Sequence, residues 1–217
     1  MNKKVKKLNQ LANPESFLQI NTVKGFKYVD CAGEIVNHYH IGDKPPVFSM
    51  NIQSLIFEQP KPKIEQLKIS SKDIWAKFIE PDSLEMALNM FDKESKVICG
   101  ILEIDKINRV GWRNNFVYEF QNKEERVAYF KKLTNSKFGN ALNIKYEISI
   151  DSDIKAVLGI EPVQKNDDKK TEGALFDIDV YTIKETNLSE LATVLRKFRE
   201  YFGSEEGFLA IVNLSLE

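Results

Sequence analysis

The stretch Ala174–Phe202, ALFDIDVYTIKETNLSELATVLRKFREYF, decides the fold class. Its first half alternates. Phe176, Ile178 and Val180 fall on one face at period two, and Leu175, Asp177, Asp179 and Tyr181 fall on the other, the pattern of a half-buried antiparallel strand. Its second half changes period. Leu188, Leu191, Ala192, Leu195, Phe198 and Phe202 recur at helical spacing. Asn187 with Glu190 three residues on has the form of a capping box, and Gly203 stands where a C-terminal cap belongs. A one-faced strand handing over to a one-faced helix predicts that both pack on a common core.

Alternation extends upstream. Leu142, Ile144, Tyr146, Ile148 and Ile150 alternate without a break, Asp151-Ser152-Asp153 reads as a tight turn, and Ile154–Pro162 returns. Gln164–Gly173 holds no apolar residue and is expected as a solvated loop, so Leu142–Ile183 reads as a three-stranded antiparallel meander. Before it, Lys96–Ile107 is rich in β-branched residues and predicts a central strand. Gly111 marks a bend or bulge, and Trp112, Asn114, Phe116, Tyr118 and Phe120 alternate onto one face. Asn122 and Glu125 announce a short helix with Val127, Phe130 and Leu133 inward.

The first third reads as strands at Phe17–Val23, Phe26–Cys31, Glu34–Ile41, Val47–Phe57, Ile64–Ile69 and Asp73–Ile79. On the fourth, Phe48, Met50, Ile52 and Ile56 share a face; the last also fits a helix through Ile74 and Phe78. Gln59-Pro60-Lys61-Pro62 suggests an extended, polyproline-like connection. Pro81 suits the first turn of a helix striped by Leu84, Ala87, Leu88 and Phe91. Beyond the opening stretch, Phe208, Ala210, Val212, Leu214 and Leu216 predict a final strand. The sum is an α+β protein, predominantly antiparallel β-sheet with about three amphipathic helices. A flexible polar leader, residues 1–14, precedes a single domain, 15–217, that also divides into two lobes, 15–135 and 140–217.

Charge and cysteine content narrow the function classes. The 217 residues carry a net charge of −1, so no global field favours nucleic acid or an anionic membrane, although a local patch stays open. Cys31 and Cys99 make no disulfide framework and read as small core residues in a reducing compartment. Lysines 3, 4, 6 and 7 are followed by no apolar h-region, and no run approaches the ~20 apolar residues of a membrane span. A cytoplasmic protein with no membrane contact is expected.

The chemistry-bearing residues are few. His38 and His40 are the two histidines; on a strand they would share a face, with Glu34 as a third ligand for a metal, or else be ordinary strand histidines. Asp177 and Asp179 stand about 7 Å apart along their strand, which suits a divalent cation, acid–base work or a salt-bridged sheet face. No glycine-rich phosphate loop and no G-x-S-x-G elbow occurs, and no cofactor is expected. Arg109, Trp112, Arg113, Asn114 and Asn115 combine cationic, aromatic and amide groups that could hold phosphate and stack bases; the alternative puts Trp112 and Phe116 in the core with the arginines ion-paired.

Two of these stretches resemble motifs of a known family. Arg109-Val110-Gly111-Trp112-Arg113 resembles an R-x-G-x-R strand motif, and Leu175-Phe176-Asp177-Ile178-Asp179-Val180-Tyr181 an L-x-D-x-D-V-Y motif followed by a helix. Both occur, in that order, in a sporadically distributed family of uncharacterised bacterial proteins of similar size. The similarity covers roughly Asp73 to the C-terminus. The family continues after the second arginine with Tyr, an aliphatic residue and Asn, where this chain has Asn114, Asn115 and Phe116. The family's patchy distribution implies mobile or host-defence gene clusters, and no activity or catalytic residue comes with it.

A full core, few catalytic residue types, near-neutral charge and long strands lead to a non-enzyme: a protein-binding or assembly component of a bacterial multi-protein system. It would act through a protein partner or by self-association at strand edges. Arg109, Trp112, Arg113, Asn114, Asp177 and Asp179 are its candidate interaction residues. A nucleic-acid-binding accessory protein, and a metal-dependent enzyme or small-molecule binder, are the alternatives.

Overall fold

The structure, a computed structural model, describes residues 11–22, 27–40, 44–81, 83–134, 144–164, 172–203 and 207–216. In chain order the elements are β1 (Ala12–Asn21), α1 (Lys27–Asp30), α2 (Ala32–His38), β2 (Val47–Met50), β3 (Ser54–Lys61), β4 (Ile64–Ser70) and β5 (Asp73–Ile79). Then come α3 (Leu84–Ile101), β6 (Lys106–Ile107), β7 (Arg109–Phe120), α4 (Lys123–Thr134), β8 (Ile144–Ser149), β9 (Ile154–Gln164) and β10 (Glu172–Thr182). The last are β11 (Thr186–Asn187), a 3-10 turn (Leu188–Glu190), α5 (Leu191–Gly203) and α6 (Phe208–Leu216). The protein is therefore α+β and built on a large antiparallel sheet.

Two compact units divide the chain, and their segments interleave. One comprises Glu15–Arg113 and Tyr181–Lys197; the other Met1–Pro14, Asn114–Val180 and Phe198–Glu217. In the first unit the strands hydrogen-bond in the order β2-β3-β4-β5-β1-β7. β2 through β5 form an antiparallel meander, and β1 pairs antiparallel with β5 in unbroken register from Glu15↔Ile79 to Asn21↔Asp73. Alternation in β4 and β5 buries Ile64, Leu67, Ile69, Ile74, Ala76 and Phe78. α3 packs on α2 and β5, capped at its start by Ser83, whose hydroxyl accepts from the Met86 amide at 3.0 Å. β6 and β11 form a small separate ribbon.

In the second unit the order is β7-β10-β9-β8. Phe116, Phe176, Phe202 and Phe208, all buried, meet ring to ring with centroids 5.0–6.0 Å apart. The Asp151–Asp153 turn joins β8 to β9 as expected, the Asp151 carboxylate accepting from the amides of Asp153 and Ile154 at 2.7 and 2.8 Å. Gly173 sits at a close approach: a Cβ there would meet the Tyr118 carbonyl oxygen at 3.1 Å, tighter than an ordinary contact.

Phe176, Ile178 and Val180 are fully buried on β10, and Leu191, Leu195, Phe198 and Phe202 line the inner face of α5, as their spacing predicts; Ala192, assigned to that face, is exposed. Four other expectations fail. Of the stretches Phe26–Cys31 and Glu34–Ile41, read as strands, residues 27–30 form α1 and 34–38 belong to α2, where Ile35 and the following Tyr39 are buried one helical turn apart; Phe26 and Ile41 lie outside the described residues. Val47–Phe57 is two strands, β2 and β3, folded back at an Asn51 turn. Lys96–Ile101, read as central strand, is the second half of α3; Phe91, Glu94, Ser95, Ile98 and Cys99 are buried at helical spacing. The C-terminal run, read as a strand, is α6, with Phe208, Leu209, Val212 and Asn213 buried.

Smaller boundaries move too. Leu11 is buried and β1 begins at Ala12, within the stretch expected as leader, whose residues 1–10 lie outside the described ones. Pro60 and Lys61 belong to β3 rather than to a polyproline link, with Gln59 at φ 48° where the β3–β4 register shifts. Pro81 precedes the Ser83 cap rather than opening α3. Glu172 and Gly173 belong to β10, while 165–171 of the expected loop, and Leu142, lie outside the described residues. Among the described residues no helix is long and apolar enough to cross a membrane.

Candidate interaction surface

Of the residues singled out from sequence, Trp112 and Asn114 are buried, Arg109, Asp177 and Asp179 are half-buried, and Arg113 is exposed. Trp112 is fully buried and its indole N–H donates to the Ser16 hydroxyl at 2.8 Å, so it cannot stack a base. Asn114 is equally buried. Arg109 lies with its guanidinium carbon 4.4 Å from the centroid of the Tyr181 ring, a cation–π contact, and its side chain runs over Gly111. A Cβ at Gly111 would meet the Arg109 Nη1 at 3.2 Å, and this close approach inside β7 replaces the bend expected there. Asp177 and Asp179 are half-buried on β10, opposite the Phe176 face. Arg109, Arg113, Asn114, Asp177 and Asp179 all have interaction partners.

The histidine pair dissolves with the strand that carried it. His38 ends α2, and its Nε2 lies 3.1 Å from an oxygen of Glu94, a nearly buried carboxylate on α3. His40 lies past the helix and is exposed, as is Glu34. The His38–Glu94 pair therefore ties α2 to α3. Among the described residues no group of three or more His, Cys, Asp or Glu side chains is arranged to hold a metal ion. Tyr39 packs edge-on to His38 with centroids 4.8 Å apart, and burial, followed by the Glu94 carboxylate, drives its hydroxyl far above the usual phenol value. Burial pushes the Cys99 thiol up to about 12, which makes it a poor nucleophile at neutral pH.

One feature was missed in sequence reading. β2 is the last strand of its run, and among the described residues it pairs with β3 alone. Its apolar side chains stand in water: Val47 is 70 % exposed, Phe48 44 %, Met50 41 % and Ile52, in the turn that follows, 79 %. Phe48 and Met50 sit opposite Phe57 and Leu55, both fully buried, so the core face of the sheet runs out to β2, beyond which no strand lies among the described residues. The ring of Phe48 meets Phe57 at 5.9 Å, and Phe57 meets Tyr39 at 4.8 Å, which anchors the strand to the interior.

The turn beside β2 is held as well. The Asn51 side-chain oxygen accepts from the amides of Gln53 and Ser54 at 2.7 and 3.0 Å, and the buried Tyr28 hydroxyl donates to the Ile52 carbonyl at 2.8 Å. The backbone presenting Ile52 is thus tied to the fold. The signal available in sequence was the Asn51 turn residue together with a run from Pro45 to Phe57 that has no charged side chain, in a chain that is 29 % charged.

A shallow depression of about 540 Å³ lies at the β3–β4 hairpin, lined by Gln59, Lys61, Pro62, Lys63, Glu65 and Ile79 among others. Its lining holds the charged groups Lys61, Lys63 and Glu65 and no Ser, Cys or His. The chain matches no known family model and no curated protein.

Proposed function

We propose that this protein is a non-catalytic binding component that works by holding another polypeptide, and that β2 with the adjoining turn is its contact surface. The observation that carries this reading is the exposure of Val47, Phe48 and Met50 on an edge strand and of Ile52 in the turn that follows it. Edge strands in soluble proteins are normally guarded by charge, proline or a covering element, because an open edge templates pairing with other chains. Here four large apolar side chains stand outside on a backbone that the Tyr28 and Asn51 hydrogen bonds constrain. Preorganisation of this kind lowers the ordering cost of association. Placement in a bacterial multi-protein system of the host-defence or mobile-element type rests on the motif resemblance alone.

Affinity capture from the native host tests the proposal. A protein retained by the wild-type chain and released by the Phe48→Glu, Ile52→Lys double variant is expected, with thermal unfolding of the variant unchanged. Equal retention by both chains would remove β2 from the contact surface. Salt-sensitive nucleic-acid binding that survives the double variant would favour the nucleic-acid alternative instead.

A further inference from the structure

We infer that the occupant of β2 is a short, extended, uncharged segment of a different polypeptide, added as a strand along the edge away from β3. This rests on the reading of β2 as the contact surface. The partner's chemistry follows from three features.

The first is the alternation of β2. Phe48 and Met50 lie on the face of Phe57 and Leu55, and Val47 and Ser49 lie on the opposite face. An incoming strand that continues this pattern places every second side chain against Phe48 and Met50, where an apolar group completes the core face. The intervening side chains fall on the Val47–Ser49 side. The second is charge. Lys44 precedes the uncharged run and Glu58 follows it. A charged side chain on the core-face positions of the incoming strand would meet no counter-charge on β2 and would be desolvated against two apolar residues.

The third is area. At no more than ~250 Å² for a large side chain, the exposed fractions of the four residues amount to under about 600 Å². A stable complex of two folded surfaces buries ~800 Å² per partner. Two copies of this chain meeting at β2 alone fall short of that. A strand added to the edge draws its affinity from backbone hydrogen bonds and two or three side chains in addition to area. The pair Pro45-Pro46 ends the strand at its N-terminal side, so the segment paired is only about four to six residues long.

The experiment uses the full chain as target for a displayed library of random twelve-residue peptides. Enriched peptides are expected to carry apolar residues at every second position and no charge between them. They should weaken at least tenfold against Phe48→Glu and protect the amides of Val47–Met50 from hydrogen exchange. Methylating the backbone nitrogens of alternate peptide residues should weaken binding in one register and spare it in the other, a signature that side-chain docking alone lacks.

Peptides with apolar residues at helical spacing, still dependent on Phe48, would overturn the strand mode while leaving β2 as the contact surface. A Phe48-dependent dimer in light scattering, with no peptide selected, would replace the foreign segment by a second copy. A monomer that selects no peptide and loses no captured protein on Phe48→Glu would overturn both readings.

Discussion

β2 and β8 each end a run of strands, and the chain equips them in opposite ways. β8 reads Ile-Lys-Tyr-Glu-Ile-Ser, with Lys145 and Glu147 exposed on one face and the Glu147 carboxylate bound by Lys155 of β9 at 2.6 Å. That partner holds the Glu147 carboxyl below its ordinary value, so the charge persists into mildly acidic solution. β2 reads Val-Phe-Ser-Met and carries no charge. Both have a buried row behind them: Leu158 lies opposite Tyr146, and Phe57 opposite Phe48. The difference lies in what each edge offers outward. An added strand at β8 would have to accommodate alternating charges, and one at β2 would extend an apolar face. The proposed contact at β2 therefore rests not on exposure alone but on exposure without charge, on a backbone held in place.

The largest effects should come from the rows behind the edges. Phe57→Ala should cost about 3–5 kcal/mol and Leu158→Ala about 2–5 kcal/mol in urea denaturation, because both create cavities in packed cores. Phe57→Ala should also abolish binding at β2 by releasing Phe48. A cost under about 1 kcal/mol for Phe57→Ala would mean that the core ends before it reaches β2, and the contrast with β8 would fail.

Alkali probes the same row from Tyr39. Its hydroxyl titrates well above the ordinary phenol value, so the folded state favours the neutral form. That contribution is complete below the unfolded value near 10 and is lost as pH rises beyond it. Amide exchange in β2 should accelerate above about pH 10 in wild type, and Tyr39→Phe should reduce that acceleration. Equal acceleration in both chains would separate Tyr39 from the anchoring of β2.

A smaller loss, about 1 kcal/mol, is expected for Tyr28→Phe, which removes the hydrogen bond to the Ile52 carbonyl. Affinity for a β2-binding peptide should fall with it; unchanged affinity would show that the turn needs no fixing. Smallest in stability, within about 0.5 kcal/mol, is the exchange of edge character. Lys145→Val with Glu147→Val makes β8 resemble β2, and concentration-dependent association should appear in light scattering. A variant that stays monomeric would show that charge is not what guards β8.

The strands that alternate on half-buried faces were legible because period two leaves a clear record: β4, β5, β7 and β10 read correctly, as did α5 and its Asn187–Glu190 start, where the carboxylate accepts from the Asn187 amide at 3.3 Å. Two of the failures, α6 and the second half of α3, lie in strongly apolar runs. α6 reads Phe-Leu-Ala-Ile-Val-Asn-Leu-Ser-Leu, apolar almost throughout, and a continuous apolar run shows alternation and helical spacing at once. The second half of α3 failed alike, because Val97, Ile98 and Ile101 carry β-branched side chains while the helix started at Ser83 continues through them.

The site was harder to read than the fold. Trp112 and the arginines stand out by residue type, but type does not report burial, and Trp112 turned out to serve Ser16. Phe48, Met50 and Ile52 share one face by the same alternation that succeeds elsewhere. Nothing in their identities says that, among the described residues, no further strand pairs beyond β2; only the strand order does.

The most direct test of the β2 account is hydrogen exchange on the complex captured from the native host, read at β2 and β8 together. The account predicts slowed exchange at Val47–Met50 and unchanged exchange at Ile144–Ser149. Protection at β8 with none at β2 would contradict it.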